Sequence, residues 1–87
     1  MFHKIKNVTA LPDYMLSVQF SEGVTKVYDV NPLFNKWSAF SEIKDKEIFS
    51  SVYVDDGGYG IVWNPRVDLS CSELWENGKT IKTMFED

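Results

Sequence analysis

Cations are scarce in this chain of 87 residues. Nine Lys plus Arg stand against thirteen Asp plus Glu, the formal net charge is -4 at pH 7, and Arg66 is the one arginine. Lys4 and Lys6, Lys44 and Lys46, and Lys79 and Lys82 are scattered among acids. Releasing counterions from a nucleic acid needs clustered cations, so this scatter argues against direct nucleic-acid contact by the chain alone. Cysteine is reduced to Cys71, which excludes an internal disulfide, and histidine to His3. Zinc takes four ligands in which Cys and His dominate, so one of each makes no zinc site, and no metal or cofactor is expected. No apolar run approaches the roughly 18 to 20 residues that span a bilayer, and lipidation signals are missing too. The start, Met1-Phe2-His3-Lys4-Ile5-Lys6, lacks the apolar core and small-residue cleavage site of a signal peptide. Repeats and linker-like stretches are absent. These gaps leave the expectation of one cytoplasmic domain, 1–87, with no membrane role.

Thirteen aromatics (three Trp, four Tyr, six Phe) within an apolar content of 44% supply large buried area per residue. A core of that kind can hold a small domain without staples. Tyr14, Leu16, Val18 and Phe20 alternate with Met15, Ser17 and Gln19, the period of a half-buried strand. Ser21-Glu22-Gly23 turns the chain into a second run, Val24 to Val30, in which Val24, Tyr28 and Val30 share a parity with Lys26. Ile5 to Leu11 reads as a preceding strand whose apolar positions Ile5, Val8 and Leu11 break alternation, which predicts a bulge or bend.

Asn31-Pro32 reads as a helix start, with Asn at the cap and Pro in the first helical position. A second short helix is predicted over Ser41 to Phe49. Val52 and Val54 pair across the turn Asp55-Asp56-Gly57-Gly58-Tyr59-Gly60 with Ile61 and Trp63, and Pro65 ends that hairpin. Ser70 and Glu73 form a capping box, Leu69 and Leu74 a hydrophobic staple, and Asn77-Gly78 a stop. Ile81, Met84 and Phe85 fall at helical spacing on a tail, 79–87, too short to be a stable helix alone. The fold class predicted is α+β: a small antiparallel sheet built from hairpins with two or three short helices, its core spanning about 3–78.

Reactive chemistry is weakly signalled. The glycine turn lacks the lysine and the following helix of a phosphate loop. Asp55, Asp56 and Asp68 lack the spacing of a calcium loop. Asp68 is expected to serve the helix start or to pair with Arg66. Cys71, in the first turn of a helix, would have its thiol acidified by the helix dipole, but its one candidate base, His3, is remote in sequence. Most aromatics fit the core; Trp37, Tyr53 and Tyr59 are harder to bury, and Tyr53 and Tyr59 suggest an exposed patch for a partner.

The pattern Tyr14-x-Leu16-x-Val18-x-Phe20-x-x-Gly23, Tyr28-Asp29-Val30, Phe49-x-x-Val52-x-Val54-Asp55, Gly60-Ile61-Val62-Trp63 and Asp68-Leu69-Ser70-x-x-x-Leu74-Trp75-x-x-Gly78 resembles the small bacterial family catalogued as domain of unknown function twenty-four forty-two. The resemblance covers roughly residues 5 to 78 and implies an antiparallel sheet carrying short helices, with no established activity. Some longer relatives carry a C-terminal helix-turn-helix that suggests transcriptional regulation; others stand alone in arrangements like toxin–antitoxin pairs. With the sequence ending at Asp87, the DNA-binding implication is not carried over to it. The resulting expectation is a non-enzymatic, protein-binding or regulatory, antitoxin-like module, with a basic protein or a second copy of the chain as partner. Its contact surface would include Tyr53, Tyr59, Trp63, Arg66, Asp68, Met84 and Phe85. The alternative is a small-ligand or enzymatic site between the second hairpin and the capped helix, using Asp55, Tyr59 and Asp68.

Overall fold

The alternation at Leu16, Val18 and Phe20 is realised in a computed structural model of the chain, which describes residues 3–83. Strands β1 (Ile5–Leu11), β2 (Met15–Phe20) and β3 (Val24–Asp29) run antiparallel with β2 between the others. Leu16, Val18 and Phe20 are at most 1% exposed. Burying a side chain of that size contributes about 1.5–3 kcal/mol, so β2 anchors the core. Gly23, at φ 89°, makes the β2–β3 turn in a backbone state that a Cβ would oppose. The irregularity expected in β1 is a register shift between Ile5 and Asn7. It allows Ile5, Val8 and Ala10 to lie opposite Phe20, Val18 and Leu16 on the inner face.

Helix α1 (Asn31–Lys36) starts one residue earlier than predicted, with Val30 at the N-cap and no side-chain cap, while the preceding Asp29 Oδ1 accepts from the Asn31 N–H at 3.0 Å. The helix predicted over Ser41 to Phe49 is divided. A 3-10 segment over Ser38–Lys44 precedes α2 (Lys46–Ser50), and Asp45 caps α2 by accepting from the N–H groups of Glu47 (2.9 Å) and Ile48 (3.4 Å). Asp45 adopts extended backbone, which interrupts the run.

β4 (Tyr53–Val54), β5 (Gly60–Asn64) and β6 (Val67–Ser70) form a second antiparallel sheet, so the fold has two small sheets where one was predicted. β6 was hidden in the sequence between Pro65 and the helix cap. Its four residues alternate, Val67 and Leu69 buried, Asp68 and Ser70 exposed. α3 (Cys71–Asn77) follows directly, with the Ser70 Oγ accepting from the Glu73 N–H at 3.1 Å and both staple leucines buried. Gly78 stops α3 through space, not through an unusual φ: a Cβ there would lie 2.5 Å from the Leu74 carbonyl oxygen.

The predicted helical tail is a strand over its described part. β7 (Lys79–Thr83) pairs antiparallel with β3 and completes a sheet ordered β1-β2-β3-β7. A segment this short gains ladder hydrogen bonds from β3 that an isolated helical turn could not keep. Two antiparallel sheets and several short helices thus make one compact α+β domain. None of the described helices is long and apolar enough to cross a membrane.

Lys26, on the inner parity of β3, is 9% exposed, and its ammonium donates to the Trp75 carbonyl and lies 4.1 Å from the indole centroid. The Glu73 carboxylate, instead of returning to the Ser70 N–H, accepts from the Tyr28 hydroxyl at 2.7 Å. Burial first, and then this bond, raise the Tyr28 phenol well above its ordinary value and keep it a neutral donor. Lys26 and Tyr28 of β3 therefore tie the first sheet to α3. At the opposite end, Asp13 (φ 62°) and Tyr14 (φ 60°) are consecutive non-glycine residues in left-handed backbone. Such residues cost on the order of 1–3 kcal/mol each and persist where neighbours over-determine them. Here the Asn31 Nδ2 donates to the Asp13 carbonyl at 2.8 Å, the Val30 N–H to the Tyr14 carbonyl at 3.0 Å, and the Tyr14 hydroxyl to the Lys44 carbonyl.

Candidate functional site

The glycine turn is where the two sheets meet. Asp55 Oδ1 accepts from the N–H groups of Gly57 (3.1 Å) and Tyr59 (2.8 Å), closing the turn on itself. Gly58, at φ 73°, brings its carbonyl 2.8 Å from the Ile5 N–H, and a Cβ on it would sit 2.8 Å from the Ile5 carbonyl oxygen. The sequence needs glycine there for both reasons. Docked this way, the turn holds Tyr59 outward, 61% exposed, with the Lys4 ammonium 5.4 Å from its ring centroid. Tyr53, on β4 opposite Val62, is 55% exposed, and β4 lies against β1, which carries exposed Lys6. Lys4 and Tyr59 thus meet at the seam between the sheets, and Lys6 and Tyr53 lie on the two strands that border it.

On the far side of the turn the Tyr59 carbonyl accepts from the Cys71 N–H at 2.8 Å, fixing the start of α3. An open cleft of about 200 Å³ here is lined by Asp55, Tyr59 and Asp68 together with Ser70. The three residues of the small-ligand alternative do share one depression. Its volume falls below the roughly 300–1,000 Å³ of ligand pockets, and one Asp55 oxygen is already spent on the turn. β6 separates this cleft from a groove of about 430 Å³ lined by Trp37, Phe40, Arg66, Asp68 and Glu73.

Arg66 does not pair with Asp68. Its guanidinium forks onto Glu42, Nη2 to Oε1 at 2.8 Å and Nε to Oε2 at 3.1 Å, and holds that carboxyl below its ordinary value. Asp68 points into solvent from β6 and lines both depressions. Trp63 is 6% exposed and donates its indole N–H to the Phe49 carbonyl at 3.0 Å, which withdraws its side chain from any surface. Met84 and Phe85 lie outside the described residues. Trp37, 46% exposed with the Lys36 ammonium 4.8 Å from its ring, belongs to the groove and was not among the predicted contact residues; its place after a short helix carried no directional signal.

The tertiary structure does bring Cys71 and His3 together, but through the wrong atoms for nucleophilic catalysis. The thiol donates to the His3 backbone carbonyl at 3.1 Å, while the imidazole stacks on Trp75 (3.5 Å between centroids) and its Nδ1 lies 2.6 Å from Glu22 Oε2. Burial, then the nearby Glu22 and Asp55 charges, push the thiol up, opposite to the acidification expected from the helix dipole. Among the described residues no group of three His, Cys, Asp or Glu side chains is arranged to hold a metal ion. This face carries exposed Tyr53 and Tyr59, with the Lys4 ammonium over the Tyr59 ring, and Asp68 on β6.

The fold and this face define a small α+β domain of two antiparallel sheets joined at a glycine turn. The chain belongs to the family described as "Protein of unknown function (DUF2442)", whose model matches residues 5–80. No curated protein matches it. Among solved structures it is similar to the crystal structure of "Putative DNA Binding Protein NE0471" from Nitrosomonas europaea ATCC 19718, at 28% identity and a TM-score of 0.67. The match covers 76% of this chain and 43% of that one, so this chain spans less than half of the length of its neighbour.

That neighbour overturns the expectation of no direct nucleic-acid contact, and the accompanying expectation of a basic protein or second copy as partner finds no support in it. The expectation rested on net charge and on lysine spacing along the sequence. Neither net charge nor lysine spacing reveals that Lys4 lies over the exposed Tyr59 ring in the folded chain.

Proposed function

We propose that this chain is a non-catalytic, cytoplasmic regulatory domain of a DNA-linked system, and that the seam of Tyr59, Lys4, Lys6 and Tyr53 contacts the nucleic acid. The observation that carries the reading is the Lys4 ammonium 5.4 Å from the centroid of an exposed tyrosine ring, in a chain whose solved structural neighbour is named for DNA binding. Bases stack on exposed aromatic faces whatever their identity, and ammonium groups displace counterions from phosphates. With so few cations the contact should be weak and strongly weakened by salt. An antitoxin-like role is a narrower form of the same proposal.

Fluorescence anisotropy with labelled single-stranded and duplex oligonucleotides at about 50 mM salt tests it. Binding of either form should weaken at least roughly tenfold when Lys4 and Lys6 are both changed to Glu, and less when Tyr59 is changed to Ala. Absence of binding by the wild-type chain, or equal binding by the Lys4→Glu, Lys6→Glu variant, would overturn the reading.

A further inference from the structure

A further depression lies at the end of β1 away from the Ile5 contact with the glycine turn. It has a volume of about 560 Å³ and lies between the end of β1, the Pro12–Tyr14 turn and α2. Small-molecule sites typically have volumes of roughly 300–1,000 Å³ and combine apolar walls with a few polar groups. This one has both. Buried Phe49 and half-buried Leu11 and Tyr14 supply apolar lining, and Asp13, Asn31, Lys46 and Ser50 are exposed polar groups that line it.

Two features separate it from an ordinary surface hollow. One wall is built from the left-handed pair Asp13 and Tyr14, clamped by the Asn31 amide and by the Tyr14 hydroxyl on the Lys44 carbonyl, so its shape is set before any ligand arrives. The ring of Tyr14 is further fixed edge-on against Phe34 (5.1 Å) and Phe49 (5.2 Å). The second feature is its charges. Among the described residues, neither Asp13 nor Lys46 takes part in an ion pair, although both line the same hollow and carry opposite signs. A carboxylate and an ammonium left unpaired beside an aromatic wall are the complement of a ligand that carries both charges on a small centre and an apolar group beside it.

We infer that this cavity binds a small zwitterion with an apolar side group, of the class of the hydrophobic α-amino acids. Its carboxylate faces Lys46, its ammonium faces Asp13, and its side group lies against Phe49 and Leu11. The inference is independent of the nucleic-acid reading and would make the domain responsive to a metabolite.

Two-dimensional amide NMR with L-phenylalanine as probe tests it, beside N-acetyl-L-phenylalanine, which lacks the ammonium, and L-phenylalaninamide, which lacks the carboxylate. Saturable shifts are expected at Leu11 to Tyr14 and Lys46 to Ser50, with each derivative bound about tenfold more weakly. Asp13→Asn keeps a residue that tolerates left-handed backbone and should erase the preference over the acetylated probe. Lys46→Met keeps the apolar stem and should erase the preference over the amide. No saturable shift up to about 50 mM probe, shifts confined to other residues, or wild-type affinity for both derivatives would overturn the inference. The derivative series uses the unaltered chain, so a folding defect in a variant cannot imitate failure.

Discussion

The two sheets of this domain are built by different means. The four-stranded sheet rests on runs of five to seven residues, and its central strand β2 has a fully buried inner face of Leu16, Val18 and Phe20. The three-stranded sheet has strands of two, five and four residues and owes its geometry to a glycine turn and a helix cap. Hydrophobic periodicity supports the first; the second also buries Ile61, Trp63, Val67 and Leu69, but backbone conformation and capping set where its strands turn and meet. The difference separates stability from recognition: a sheet dominated by burial tolerates little change, whereas a seam set by turns can present tyrosines and lysines to solvent at small cost.

Three measurements would break or sharpen that contrast. Phe20→Ala should have the largest effect, destabilising by about 3–5 kcal/mol in chemical denaturation, because it leaves a cavity beneath Trp75, whose ring it meets edge-on at 4.9 Å. A cost under about 1 kcal/mol would mean that the first sheet does not dominate the core. Gly58→Ala should come next, at about 1–3 kcal/mol, from a left-handed φ combined with the approach to the Ile5 carbonyl. Its signature is local: hydrogen exchange at the Ile5 amide should accelerate far more than at Val18, and uniform acceleration would show that the seam is not a separate hinge.

Arg66→Ala should have the smallest effect, since the Arg66 and Glu42 side chains are 67% and 37% exposed. Its pH dependence has a fixed sign. Arg66 lowers the Glu42 carboxyl in the folded state, so the pair contributes above the ordinary carboxylate value and is lost as pH falls through the lowered one. Thermal melts of wild type and variant should differ slightly at neutral pH and coincide in acid. A difference that grew on acidification would contradict the pairing.

Much of this was legible in the residues. The strands at Leu16 to Phe20 and Val24 to Tyr28, the bulge in β1, the glycine turn and the Ser70 cap all follow from local periodicity and side-chain oxygens. β6 was not, because four residues squeezed between Pro65 and a strong helix cap carry too little alternation to outweigh it. β7 was misread as helical since Ile81, Met84 and Phe85 suit a helix, and only the open edge of β3 selects a strand over Lys79–Thr83. Of the predicted contact residues, Tyr53 and Tyr59 are exposed as expected, while Trp63 is claimed by the core through its bond to Phe49.

The sequence by itself determined which segments are extended, where the chain turns and where α3 begins, since propensity, alternation and capping act between residues a few positions apart. Only tertiary structure decided that there are two sheets, that Arg66 forks onto Glu42, that Lys4 lies over Tyr59, and that Asp13 and Lys46 line one cavity. Each of those joins residues distant in sequence, and the energy that places them comes from burial shared across the whole core, which no local pattern encodes.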